Sequence, residues 1–263
     1  MEKIGLALGS GGARGYAHIG VIKALEEENW KPEVITGSSI GALVAVFYSY
    51  YQDIEKVEDL MLDGYWREMF DMFKPSLRSG VIPGKKVESF LEEFIGEIDL
   101  SDLSIPVGVV ATDFKTSQPV LIRKGRASQA VHGSLAFPFF IEPLETADRI
   151  LWDGGLSIQI PTGSARQMGA NRVIAVDLNQ SPEDSNDSYK EMNPYEIGIK
   201  AIRSLQLQMV KMSMTQADIE ISPELDPTVL LGMGTLLKKG EGKKIIDKGY
   251  KETKKVIQCI KEN

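Results

Sequence analysis

The fold is decided by residues 32–43, PEVITGSSIGAL. A short apolar strand leads into the turn GSSIG, and a helix that is apolar on most faces follows at residues 42–51. Ser39 stands at the centre of the spacing G-x-S-x-G, which between a strand and a buried helix is typical of a nucleophile elbow. Gly37 and Gly41 let neighbouring elements approach this strained turn. The stretch therefore predicts a serine nucleophile.

A second glycine-rich turn precedes the elbow. Residues 9–15, GSGGARG, follow an apolar strand at 4–8 and lead into a helix, where free backbone N–H groups and the helix dipole favour a bound negative charge. The dinucleotide fingerprint G-x-G-x-x-G fails because the sixth position counted from Gly9 is Arg14, and no Gly-Lys-Ser/Thr follows as in a P-loop. The loop is therefore predicted to hold an anion other than a nucleotide phosphate.

The rest of the chain alternates between the two kinds of element. Further patterns predict helices over 53–73, 84–95, 126–136 and 241–263, the last amphipathic, and strands over 106–111, 119–122, 149–152 and 171–178. Alternating strands and helices indicate an α/β fold with a mostly parallel sheet covered on both faces. We expect one domain over 1–263 and a mobile loop over 178–193.

Composition excludes several classes of protein. The chain has 263 residues, and its net charge of −7 argues against nucleic-acid binding. One cysteine and two histidines leave no disulfide framework and no metal site, so no cofactor is expected. Neither a signal peptide nor a membrane span is evident. We therefore expect a cytoplasmic protein that contacts the inner membrane surface transiently.

A serine nucleophile needs a base, and the candidates are few. Asp153, in WDGG, ends an apolar strand and is favoured. Asp113 is the rival carboxylate, although the polar turn after it suits a turn-forming aspartate. His18, on the first helix, is expected to be a structural hydrogen-bonding residue, and His132 is a weaker candidate because it lies inside a predicted helix. A serine enzyme built from this chain should therefore use an aspartate.

Four motifs together resemble the bacterial patatin-like phospholipases, the group that includes the neuropathy-target-esterase-like proteins. They are residues 8–15 with AHIGV at 17–21, the elbow at 37–41, ATD at 111–113 with QPV at 118–120, and DGG at 153–155. The resemblance implies a three-layer α/β/α fold and a catalytic Ser39–Asp153 dyad followed by Gly154 and Gly155. It also implies an oxyanion loop of pattern G-G-G-x-R/K-G.

That loop pattern falls on residues 10–15, where Ser10 replaces the first glycine. The resemblance places the oxyanion hole at Gly11, Gly12, Ala13 and Arg14, with Arg14 anchoring or charging the loop. Because the oxyanion donors are backbone N–H groups, Ser10 affects the hole only if its position needs a conformation that only glycine adopts.

The expected activity is hydrolysis of a lipid or fatty-acyl ester, of phospholipase A or lysophospholipase type. Two other readings stay open. An acyltransferase would use the same acyl-enzyme and pass the acyl group to an alcohol or thiol. A lipid-binding regulatory protein would use neither Ser39 nor Asp153 for chemistry.

Overall fold

A computed structural model describes residues 2–63, 82–179, 193–225 and 240–262. In chain order the elements are β1 (Ile4–Leu8), α1 (Tyr16–Glu27), β2 (Val34–Ser38), α2 (Ile40–Tyr51), α3 (Ile54–Leu62), α4 (Gly84–Ile95), β3 (Val107–Asp113), β4 (Pro119–Ile122), α5 (Ala127–Leu135), β5 (Leu144–Glu145), β6 (Ile150–Trp152), α6 (Thr162–Gln167), β7 (Arg172–Val176), α7 (Pro194–Met214), β8 (Ile219–Ile221) and α8 (Glu241–Glu262). Within these ranges, no helix is both long and apolar enough to cross a bilayer.

Eight strands form one sheet in the order β5-β6-β3-β2-β1-β7-β8, with β4 paired to β3 beside this path. Strands β3, β2, β1, β7 and β8 run parallel, whereas β4, β6 and β5 pair antiparallel. Successive side chains of a strand point to opposite faces, so Leu6 and Leu8 join the largest apolar cluster and Ala7 joins a second cluster on the other face. Helices α1, α2, α5 and α8 cover the first face and α6 and α7 the second. The predicted three-layer α/β/α class is confirmed.

Two helices on the first face, α1 and α8, approach very closely. A Cβ added to Gly20 would lie 1.9 Å from the carbonyl oxygen of Ile246, and one added to Gly249 would lie 2.2 Å from that of Ala17. Tyr250 donates from its hydroxyl to Glu27 at 2.7 Å at the edge of this contact. The segment predicted as an amphipathic helix thus packs on α1.

Several sequence-based boundaries need correction. The predicted continuous helix over 53–73 is wrong, because α3 ends at Leu62 and Asp63 is extended; residues 64–73 lie outside the described residues. Within the predicted loop 178–193, Leu178 and Asn179 are buried, and residues 180–192 lie outside the described ranges. The sequence patterns predict no element at β5, α6, α7 or β8.

Candidate active site

The sheet brings the loops together at one edge. In a parallel sheet the carboxyl ends of the strands meet at the same edge, and β1 ends at the glycine-rich loop, β2 at Ser39 and β7 at Asp177. Strand β6 is antiparallel to β3, with Trp152 opposite Thr112. The chain therefore enters β6 at this edge and runs back from it. Because β2 ends at Ser38, which pairs with Val110, Asp153 arrives beside the end of β2.

Ser39 lies between β2 and α2 in a strained conformation, with φ 53° and ψ −123°. Such a positive φ costs a non-glycine residue about 1–3 kcal/mol, and surrounding contacts must hold it. The Ser39 N–H donates to Ser134 Oγ at 2.8 Å, and Ser134 Oγ donates in turn to the Val110 carbonyl at 2.6 Å. A Cβ at Gly41 would lie 2.2 Å from the Leu8 carbonyl oxygen, and one at Gly37 2.4 Å from the Ala42 backbone nitrogen. The turn between β2 and α2 therefore has the strained strand-to-helix geometry expected of a nucleophile elbow.

Ser39 and Asp153 are in direct contact. Ser39 Oγ donates to Asp153 Oδ2 at 2.6 Å, and the Gly155 N–H donates to Asp153 Oδ1 at 2.7 Å. Both residues are buried, with exposed fractions of 8% and 2%. Burial raises the pKa of Asp153 to about 7, against the lowering effect of the bonds from Ser39 and Gly155. The carboxylate thus has basicity close to that of a histidine.

The two glycines after Asp153 are needed for close approach. A Cβ at Gly154 would lie 2.2 Å from the Val110 carbonyl oxygen and 2.7 Å from Ser38 Oγ. A side chain there would push the loop away from the sheet, and Asp153 with it.

The glycine-rich loop presents backbone donors. Among the described residues, no acceptor is recorded for the N–H groups of Gly11, Gly12 or Ala13, whereas the Arg14 N–H donates to the Gly11 carbonyl at 3.2 Å. Gly12 has a φ of 53°, a conformation that favours glycine. Of the four residues expected at the oxyanion hole, Arg14 therefore has its N–H already occupied.

The Arg14 side chain is buried and binds the loop and Asn179. Its Nη2 donates to Asn179 Oδ1 at 2.8 Å and its Nε to the Gly11 carbonyl at 3.3 Å. Burial lowers the pKa of Arg14 to about 9, and the nearby Arg203 adds to the lowering while Asp177 opposes it. Its position fits the anchoring role that the resemblance implies.

Both histidines bind other partners than Ser39. His18 Nε2 donates to the Gly9 carbonyl at 2.8 Å, and burial lowers the pKa of its ring to about 4. His132 lies between Glu88 Oε1, 3.0 Å from Nδ1, and the Glu142 carbonyl, 2.9 Å from Nε2. These contacts hold the loop and connect helices.

Asp113, the rival carboxylate, caps a turn. Its Oδ1 accepts the N–H groups of Lys115 and Thr116 at 2.9 Å each. The Thr116 bond is the main reason why its pKa lies below the ordinary value. An acidic, turn-bound carboxylate of this kind is a poor base. No group of three or more metal-binding side chains occurs among the described residues.

Sequence reasoning missed Ser134, Gln159 and Asn179. They position the elbow and the glycine-rich loop through contacts between residues distant in sequence, and none belongs to a local motif. An isolated buried polar residue leaves no signal in one sequence.

Fold and site define an α/β protein with a serine elbow and an aspartate against the serine. Residues 6–166 match the family model described as Patatin-like phospholipase, and the chain belongs to that family. It is 34% identical over 180 residues to an uncharacterized NTE family protein of Mycobacterium tuberculosis. The aligned region covers 68% of this chain and 50% of that relative. The chain thus spans about half the length of that curated relative.

Two further comparisons agree. The human patatin-like phospholipase domain-containing protein 6 is 27% identical over 223 residues, covering 78% of this chain and 16% of that protein. The crystal structure of VipD from Legionella pneumophila superposes with a TM-score of 0.58 at 16% identity, covering 98% of this chain and 67% of that one. The second likeness shows the fold alone.

Proposed function

We propose that the protein is a serine lipid acyl hydrolase in which Ser39 is the nucleophile and Asp153 the base. The observation that carries this proposal is the 2.6 Å hydrogen bond from Ser39 Oγ to a buried carboxylate whose pKa burial raises to about 7. An ordinary aspartate, with a pKa near 3.9, is a weaker base than imidazole by roughly 2.6 pKa units, or about 3.5 kcal/mol. The burial of Asp153 removes that difference.

The reaction follows from this arrangement. Asp153 takes the Ser39 proton as Oγ attacks the ester carbonyl carbon, and the N–H groups of Gly11 and Gly12 stabilise the tetrahedral oxyanion. Protonated Asp153 then gives its proton to the leaving alcohol, and the acyl group stays on Ser39. Water, deprotonated by Asp153, releases the acid and restores the serine.

A lipid acyl ester is the proposed substrate, on the strength of the family and of apolar groups near Asp153. Phe114, 48% exposed, packs against Trp152, the residue before Asp153, with 4.8 Å between the centres of the two tilted rings. Leu205, 68% exposed, neighbours Gln206, which donates to the Gly155 carbonyl at 3.1 Å. Such groups suit an acyl chain and transient contact with a membrane surface. In a series of p-nitrophenyl esters, kcat/KM should rise with acyl-chain length; a series that falls beyond acetate contradicts the assigned substrate class.

Labelling with a fluorophosphonate tests the nucleophile. The wild type should be labelled at Ser39 and should hydrolyse p-nitrophenyl butyrate, and S39A should lose both. The matched control is S38A. Ser38 is the buried residue that precedes Ser39, and its Oγ has no hydrogen-bond partner among the described residues, so its loss should leave labelling and activity unchanged. An unlabelled wild type, or an S39A variant that is still labelled, would refute the proposal.

A further inference from the structure

A buried glutamine connects the two loops of the site. Gln159 is 1% exposed, and its Oε1 accepts the hydroxyl of Ser10 at 2.5 Å while its Nε2 donates to the Gly155 carbonyl at 2.5 Å. The Gln159 main chain also takes part, because its carbonyl accepts the Ser10 N–H at 2.9 Å. One residue therefore bonds three times to the loops that present the backbone donors and the carboxylate.

Both partners of the Gln159 side chain, Ser10 and Gly155, lie next to groups that act in the proposed reaction. Ser10 precedes Gly11, whose N–H has no acceptor among the described residues, and Gly155 holds Asp153 Oδ1 through its own N–H at 2.7 Å. A shift of Gln159 would thus move the oxyanion donors and the base relative to each other.

The donor and acceptor roles of the neighbouring groups determine which way the Gln159 side-chain amide is turned. The Arg14 guanidinium can only donate, so the amide group of Asn179 must turn its Oδ1 towards Arg14 Nη2. Asn179 Nδ2 then faces Gln159 Oε1 at 3.3 Å, and Gln159 Nε2 is left to face the Gly155 carbonyl. The buried Arg14 side chain therefore sets the orientation of the Asn179 amide and, through it, that of the Gln159 amide, which contacts the Asp153 loop.

The role of Ser10 follows from its backbone. Ser10 is absent from the described residues that have a positive φ, so its position does not require glycine. Ser10 is 5% exposed, and its hydroxyl instead donates to Gln159.

We propose that Gln159 is a positioning residue that sets the distance between the oxyanion loop and the Asp153 loop, with Ser10 as its hydroxyl partner. The inference rests on the proposed function, since it needs these loops to act in one reaction. It predicts that Ser10 and Gln159 act as one unit.

A double-mutant cycle tests this unit, with S10A, Q159L and the double variant assayed on p-nitrophenyl butyrate. Each single variant should lower kcat about 10-fold, the effect of one net hydrogen bond, with KM within about twofold. The double variant should also lose about 10-fold rather than about 100-fold. The matched controls S204A and Q208L, on exposed positions of α7, should keep the wild-type kcat.

The pH dependence of kcat/KM distinguishes a positioning role for Gln159 from a purely structural one. Gly155 lowers the pKa of Asp153 through its N–H. Q159L leaves the Gly155 carbonyl with Gln206 as its remaining side-chain donor and loosens this loop, so it should move the acid limb of kcat/KM to higher pH. S10A should leave that limb in place.

The outcomes are distinct. If the wild type is not labelled by the fluorophosphonate and does not hydrolyse p-nitrophenyl butyrate, the proposed function is wrong. An active wild type with S10A and Q159L equal to it, or with losses that multiply, overturns the positioning role alone. If Q159L fails to unfold cooperatively, the kcat of S10A decides: a tenfold loss supports the role and an unchanged value refutes it.

Discussion

Replacing Asp153 by asparagine should remove activity and stabilise the fold at the same time. The amide is close to the carboxylate in shape: its oxygen can accept the Gly155 N–H in place of Oδ1, and its NH₂ can donate to Ser39 Oγ in place of Oδ2. An amide cannot accept a proton, so ester hydrolysis should fall at least about 10³-fold. The variant also carries no buried charge.

The size of the stabilisation follows from the pKa of Asp153. A folded-state pKa raised from 3.8 to about 7 means that the folded state binds the proton more tightly. Its contribution to stability is fully present below pH 3.8 and is lost as the pH rises through 7. At about 1.4 kcal/mol per pKa unit, the loss at pH 8 is about 4 kcal/mol, of which roughly 2 to 3 kcal/mol falls between pH 5 and pH 8.

Urea unfolding at pH 5 and pH 8 measures this effect. The free energy of unfolding of D153N minus that of the wild type should grow by roughly 2 to 3 kcal/mol between the two pH values. Comparing two pH values cancels any pH-independent effect of the new side chain. D113N is the matched control, because the pKa of Asp113 is lowered and its difference should stay constant over this range. A constant difference for D153N would refute the raised pKa.

Three more measurements test the site and its frame. The kcat/KM of the wild type for p-nitrophenyl butyrate should rise with pH through about 7, as Asp153 loses its proton; a flat profile from pH 5 to 8 contradicts this. G154A should lower kcat more than about 100-fold, because its Cβ would lie 2.2 Å from the Val110 carbonyl oxygen; a variant within tenfold of the wild type would show that the loop can move freely. G249A, whose Cβ would meet the Ala17 carbonyl oxygen at 2.2 Å, should lower the free energy of unfolding by about 1–3 kcal/mol in urea and keep kcat per folded molecule, whereas unchanged stability would argue against a tight helix contact.

The sequence is informative where function needs a local backbone shape. The elbow at Ser39 and the glycines after Asp153 can be recognised because the turn and the close approach each demand particular residues at fixed spacing. The alternation of strand and helix patterns along the chain likewise predicts the parallel central strands of the sheet.

Long-range pairings leave no such trace. Strand β6 runs antiparallel to β3 through Trp152 and Thr112, which are far apart in sequence, and β8 has only three residues. Helix α7 was missed because Leu205 and Met212 are exposed, 68% and 72%, so apolar residues fall outside the buried face on which helical periodicity depends.

The close contact between α1 and α8 also has a consequence for biosynthesis. Tyr250 and its partner Glu27 are 223 residues apart in sequence, so at about 5–20 residues per second the ribosome makes α8 roughly 10 to 45 s after α1. During that interval the flank of α1 around Gly20 has no cover from α8. A nascent chain in this state presents apolar surface next to the unfinished site, and a chaperone that binds exposed helices has time to act on it.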